Sequence, residues 1–254
     1  LDAGTICHYD ESWSEGLGYL SRAITLLEDQ DAPALLADAH LRKGTLLFSW
    51  AQQDNPQFYR KAAEALQRAA RTFNREQAPL IYADIQQRLG LIYADMPDEE
   101  KKKGMWAAVS STAFQEALAI FDRDQHPAQY ATTCNHYGNA LVKYPAAKLT
   151  DNVEKALFYY QEALDLRPAE TMPLARSLTL LNYLEGQWHL GMPEDTYDAR
   201  RVAEMQGMAE EVIGLAATPG LIGEAEAHLR RLELLRQAYD KRIQIDERRL
   251  TISD

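Results

Sequence analysis

The sequence predicts an all-α protein, a right-handed superhelical solenoid of stacked antiparallel helix hairpins. Three observations predict it. Pro33, Pro79, Pro127, Pro173 and Pro219 recur at spacings of 46, 48, 46 and 46 residues. An alanine stands ten residues before each: Ala23, Ala69, Ala117, Ala163 and Ala209. A glycine stands eleven residues after the first three prolines, as Gly44, Gly90 and Gly138; it is displaced by two at Gly186, and Arg230 takes the last such position. A fixed period of this length marks a repeat architecture, and no alternating strand pattern competes with it.

Each element follows from that punctuation. Proline starts a helix well, because the N–H it lacks would have had no partner in the first turn. A glycine or alanine inside a helix lowers its stability unless a second helix must come close. Helices are therefore predicted over 12–28, 33–51, 57–73, 79–95, 103–122, 127–143, 151–166, 173–190, 196–214 and 220–248. The repeat units lie near 33–73, 79–122, 127–166 and 173–214, in one domain spanning 1–254. Pro97, Pro145 and Pro193, spaced by 48, fall between the helices of a unit and mark its internal turn. The last helix, 220–248, has no following partner. Ile222, Ala225, Leu229, Leu232, Tyr239 and Ile243 form an apolar stripe along it, interrupted by Arg236. One reading makes the stripe a cap over the last repeat, in a monomer. The other makes it a dimer seam, since it keeps heptad spacing.

Composition narrows the function. The chain has 254 residues, 46% of them hydrophobic and 26% charged, which is the balance of a folded protein. A formal net charge of -11 argues against general nucleic-acid binding, because phosphate contacts need a positive surface. Lys101, Lys102 and Lys103 follow Asp98, Glu99 and Glu100, a pattern of local pairing at a helix start. Cys7 and Cys134 are isolated from each other and form no Cys-x-x-Cys pair, which fits a reducing, cytoplasmic setting. No stretch approaches the roughly 18 apolar residues of a membrane helix.

The unit around Gly138 reads Asn135, His136, Tyr137, Gly138 and Leu141, then Ala156, Tyr160, Ala163 and Pro168. This resembles the signature of the tetratricopeptide repeat family, with longer helices and a longer internal turn. Phe114, Ala117 and Phe121, followed by Pro127 and Tyr130, look like the long-unit arrays of bacterial signalling and scaffold proteins. The unit at Gly186 departs from the pattern, with its glycine displaced and Gln206 in place of the aromatic. The resemblance implies a protein-binding scaffold whose first helices line a concave groove.

No motif for chemistry accompanies it. The six histidines, His8, His40, His126, His136, His189 and His228, make no metal-ligand spacing, and no glycine-rich phosphate loop or nucleophile elbow is present. The sequence therefore predicts no metal, no cofactor and no enzymatic activity.

The groove residues stand at offsets of minus six, minus three, minus two, plus one and plus five from each glycine, one stripe of a helix. They are Asp38, Leu41, Arg42, Thr45 and Ser49, then Asp84, Gln87, Arg88, Leu91 and Asp95. Thr132, Asn135, His136, Asn139 and Lys143 follow, then Leu180, Tyr183, Leu184, Gln187 and Gly191. Arg42, Arg88 and His136 share one offset and are expected to form a ladder beside the amides of Gln87, Asn135 and Asn139. Amides suit an extended peptide backbone, and arginines bind carboxylates in bidentate fashion. The competing reading pairs Arg42 with Asp38 and Arg88 with Asp84, one turn away on the same helix. Three function classes follow: a scaffold binding a segment of another protein over Arg42, Gln87, Arg88, Asn135, His136, Asn139, Lys143 and Tyr183; a regulatory domain that senses a peptide or metabolite; and a helical enzyme.

Overall fold

The computed structural model describes residues 1–145, 151–191, 197–215 and 218–252, with side chains through Arg242. Regular structure among them is helical throughout. The helices are α1 (Asp2–Tyr9), α2 (Trp13–Glu28), α3 (Pro33–Ala51), α4 (Tyr59–Thr72), α5 (Pro79–Ala94), α6 (Glu100–Leu118), α7 (Pro127–Lys143), α8 (Asn152–Asp165), α9 (Pro173–His189), α10 (Ala199–Gly214) and α11 (Pro219–Ile252). A single 3-10 turn, Pro56–Phe58, precedes α4. Neighbours in sequence pack as pairs, as an all-helical repeat requires. Among the described residues no helix is long and apolar enough to cross a membrane. The chain forms two compact units, residues 1–152 and 153–254.

In the first unit α1 and α2, α3 and α4, and α5 and α6 form hairpins, and α7 packs on α5 and α6. The repeat residues set the spacing. A Cβ on Gly44 would stand 2.7 Å from the Leu66 side chain and 3.1 Å from its backbone nitrogen; one on Gly90 would stand 2.8 Å from the Phe114 ring. Leu66 and Phe114 each lie three residues before a repeat alanine, Ala69 and Ala117, and all four are fully buried. Leu47, Ile85, Leu89 and Ile92 fill the space between these hairpins.

Helix α1 is an element that the sequence reading did not predict. It belongs to the same scheme: a Cβ on Gly4 would meet Leu20 at 2.6 Å, and Leu20 lies three residues before Ala23. The turn to α2 is only Asp10–Ser12, closed with Glu11 at φ 57, so the glycine-to-alanine spacing shrinks and hides the repeat. The loops before α5 and α7 are a further module. Asn74 Oδ1 accepts from the backbone of Glu76 and Gln77, and Asp122 Oδ1 accepts from Asp124 and Gln125, each five residues before the proline. This turn ends α6 at Leu118, before the predicted 122.

In the second unit Leu180, Leu181 and Leu184 of α9 meet Val202, Met205 and Val212 of α10, while Leu221, Ala225 and Leu232 of α11 close over both. The apolar stripe of α11 is thus used within the chain from Leu221 to Leu232. Tyr239 continues it by stacking on Tyr197 at 4.7 Å, and Arg236 is exposed. The side chain of Ile243, and Pro193, lie outside the described residues. Arg176 donates to the carbonyls of Leu164 and Arg167, satisfying the end of α8, and pairs with Glu211. Trp188 donates to His228 Nδ1 at 2.9 Å, and the Arg231 guanidinium lies 3.9 Å from its ring centre.

Candidate functional site

The predicted stripe lies on α3, α5 and α7 in the first unit, and α1 adds a rung. Asp2, Arg42, Arg88 and His136 stand two residues before Gly4, Gly44, Gly90 and Gly138. Arg42 pairs with Asp38, the competing reading, and also bonds to α1. Its Nε donates to Asp38 Oδ2 at 2.9 Å, and its Nη1 donates to Thr5 Oγ1 at 2.7 Å and reaches Asp2 Oδ1 at 3.4 Å. The Arg88 guanidinium grips Asp84 with Nε at 2.8 Å and Nη2 at 3.4 Å. Two of its five N–H groups serve that pair; the others have no partner among the described residues.

Gln87, Asp95 and Lys143 of the groove set join neighbouring helices. Thr133 of α7 donates to Gln87 Oε1 of α5, and Lys143 of α7 donates to Asp95 Oδ1 at 2.7 Å. Each bond crosses one repeat period, 46 and 48 residues. Burial, and then the charge of Arg88, holds His8 of α1 below the ordinary histidine range. The stripe is therefore a stitched polar seam, and its arginine charges are matched by aspartates on the same or the adjacent first helix.

Two predicted residues stand elsewhere. Asn135 is 8% exposed, so it faces protein and not an open groove. Tyr183 belongs to the second unit, where it packs against the hydrophobic core of α9 and α10, its ring 6.4 Å from that of Tyr160. The reason is register. In α9 the fully buried Leu184 takes the position eleven residues after the proline. Gly186 instead faces Leu157 of α8, where a Cβ would come within 3.0 Å. Counting from the proline, not the glycine, places Leu178, Leu181, Asn182, Glu185 and His189 on the stripe; of these Leu181 is buried, as are Leu180 and Leu184. His136 and Asn139 are half-buried on α7.

Sequence reading missed the apolar end of the seam. Leu35 and Ile81, nine residues before Gly44 and Gly90, are 53% and 39% exposed. They continue the stripe of Asp38 and Arg42, and of Asp84 and Arg88, by one further turn. Extending the offset series by three would have found them.

A cavity of about 390 Å³ opens where α5, α6 and α7 end or begin, lined by Asp95, Asp98, Lys103, Trp106, Lys143 and Tyr144 among others. Its titratable groups are committed to structure. Asp98 accepts from the Glu99 backbone, Trp106 Nε1, Lys102 Nζ and Arg60 Nη2. These donors, the Glu99 amide first, hold its carboxyl far below the carboxylate range. Lys101 pairs with Glu99 and Lys103 with Glu100, so each lysine of the basic run has a local acid. Tyr144 donates to Ser110, which donates to the Gly90 carbonyl, and burial raises the Tyr144 phenol well above its ordinary range.

Asp98 gives a test with a sign. Its folded pKa lies below its unfolded value of about 4, so its stabilisation is present above that pH and is lost as pH falls through and below it. Asp98→Asn is expected to lower the melting temperature at pH 7, with the gap to the parent narrowing by pH 3. Thermal melts of both proteins at the two values check this; a gap that widens on acidification would contradict the network.

Cys7 and Cys134 are buried and carry no disulfide. Among the described residues no group of three or more His, Cys, Asp or Glu is placed to hold a metal ion. No family model and no curated protein matches the chain.

Proposed function

We propose that the chain is a non-enzymatic, cytoplasmic scaffold of the long-unit tetratricopeptide type, a right-handed solenoid that holds a segment of another protein along the α3–α5–α7 face. One observation carries this reading: successive first helices repeat an exposed aliphatic residue one turn before a self-neutralised Asp–Arg pair, as Leu35, Asp38 and Arg42, then Ile81, Asp84 and Arg88. Exposed aliphatics beside satisfied polar groups suit a partner that brings apolar anchors and spends its backbone groups on the remaining guanidinium donors. The aspartates offset the positive charge of the arginines, so an acidic tail is a poorer fit than a neutral segment.

The test begins with the partner recovered from the native source, titrated as the purified protein. Leu35→Ser together with Ile81→Ser is expected to weaken binding at least about tenfold with little change in melting temperature, because both residues are exposed. Arg42→Gln with Arg88→Gln is expected to weaken it with little change in salt dependence, since neutral contacts are not screened. Unchanged affinity in both double variants would place the binding surface elsewhere.

A further inference from the structure

A second site lies on a different face of α3, between α2 and α4. His40, Lys43 and Leu47 of α3 form one wall of a cavity of about 340 Å³ whose other walls are Leu17 and Ser21 of α2 and Lys61, Glu64, Ala65 and Arg68 of α4. Helical periodicity turns positions 40, 43 and 47 away from the stripe of 38, 42, 45 and 49. In a chain of net charge -11, this is an unusual place. Three cations line it against the single carboxylate of Glu64. Elsewhere the lysines and arginines are largely committed, as in Arg42, Arg60, Arg75, Arg88, Lys101, Lys102, Lys103, Lys143 and Arg176. Among the described residues Lys43, Lys61 and Arg68 form no ion pair: Lys43 Nζ donates only to the Ser21 hydroxyl, at 3.1 Å, and Lys61 lies 5.8 Å from the Phe58 ring.

His40 faces the same space. It is only 7% exposed, it lines this cavity, and its ring makes no hydrogen bond among the described residues.

The geometry points to a binding site for a small organic phosphate monoester in this cavity. A phosphate monoester carries roughly -1.5 to -2 charges at pH 7 and three acceptor oxygens, matching three cations set against one carboxylate. Arg68 supplies a planar fork, Lys43 and Lys61 supply ammonium donors, and His40 supplies a ring N–H. Leu17, Leu47 and Ala65 line the same space and receive the carbon part of the ester. The volume is at the small end of ligand pockets, about 300–1,000 Å³. A dicarboxylate carries its two charges on separate centres and fits one cluster of donors less well.

The electrostatics agree. Burial, then the charges of Arg68 and Lys61, hold the Lys43 ammonium below its ordinary range, with Glu28 acting the other way. Burial, then Arg68 and Lys43, do the same to His40. An anion between them relieves this repulsion.

Calorimetric titration of the whole chain with phenyl phosphate, inorganic phosphate and succinate tests the site. The expected result is saturable one-to-one binding of phenyl phosphate, weaker binding of inorganic phosphate, which lacks the apolar body, and weaker binding of succinate. Lys61→Gln with Arg68→Gln, both on exposed positions of α4, is expected to reduce phenyl phosphate affinity at least about tenfold with an unchanged melting curve. Arg200→Gln, at an exposed position of α10, is expected to leave it unchanged. No saturable binding of phenyl phosphate by about 10 mM, equal affinity in the Lys61/Arg68 double variant, or tighter binding of succinate would each overturn the assignment.

Discussion

Replacing Gly44 by leucine is expected to destabilise the protein by about 1–3 kcal/mol, the usual cost of overpacking a close-packed core. The added side chain has nowhere to go. A Cβ alone would stand 2.7 Å from Leu66 Cγ and 3.1 Å from the Leu66 backbone nitrogen, so rotation of Leu66 cannot clear the way. Helices α3 and α4 must separate, and with them the core of Leu47, Ile85 and Ile92. Gly104 supplies the contrast. It is also inside a helix, α6, but a Cβ there meets nothing within 4 Å. Gly104→Ala should therefore raise stability by about 0.5–1 kcal/mol through helix propensity alone. Urea unfolding of the two variants beside the parent checks both signs. A loss in both, or a gain in both, would show that the repeat glycines are not what sets the helix spacing.

The second large effect is at Phe114, where alanine is expected to cost about 3–5 kcal/mol. The ring is 0% exposed, lies against the open side of Gly90 and stacks on Tyr137 with centroids 5.1 Å apart. Its surroundings cannot collapse into the hole, because Gly90 has no side chain and Ala113 and Ala117 beside it are already small. The residual cavity therefore adds its full term to the lost transfer energy. Phe158→Ala removes the same atoms from a ring that is 58% exposed, and a surface change of that kind is worth about 0.5 kcal/mol or less. Comparable losses at both positions would disprove the packing role assigned to Phe114.

Much of the fold was legible because proline and glycine act locally. Helices α3 and α7 run over 33–51 and 127–143, as the punctuation predicts, since Pro33 and Pro127 fix the start through their own backbone geometry. Helix α1 was not legible. Its glycine serves the same purpose as Gly44, but a three-residue turn takes the place of a longer one, and spacing alone then gives no match. The register of α9 was misread for a related reason: Gly186 answers to α8 and not to α10, and a sequence shows that a glycine is needed without showing which neighbour needs it. The site divides in the same way. Asp38 with Arg42 and Asp84 with Arg88 were visible as alternatives, because four residues is a fixed distance on one helix. The bonds from Arg42 to Thr5, from Thr133 to Gln87 and from Lys143 to Asp95 depend on which helices stand side by side. The cavity of His40, Lys43, Lys61 and Arg68 draws on three helices and left no periodic trace at all.

The four tryptophans are divided unevenly between the two units: Trp13, Trp50 and Trp106 belong to the first, and Trp188 alone to the second. Trp188 carries a cation 3.9 Å from its ring centre and donates its indole hydrogen to His228, whereas Trp106 stacks flat on Tyr93. Unfolding of residues 153–254 removes the surroundings of Trp188. The emission of Trp188 is thus a built-in optical label for residues 153–254, and a chain that retains it as the sole indole reports the melting of that half without any contribution from the other.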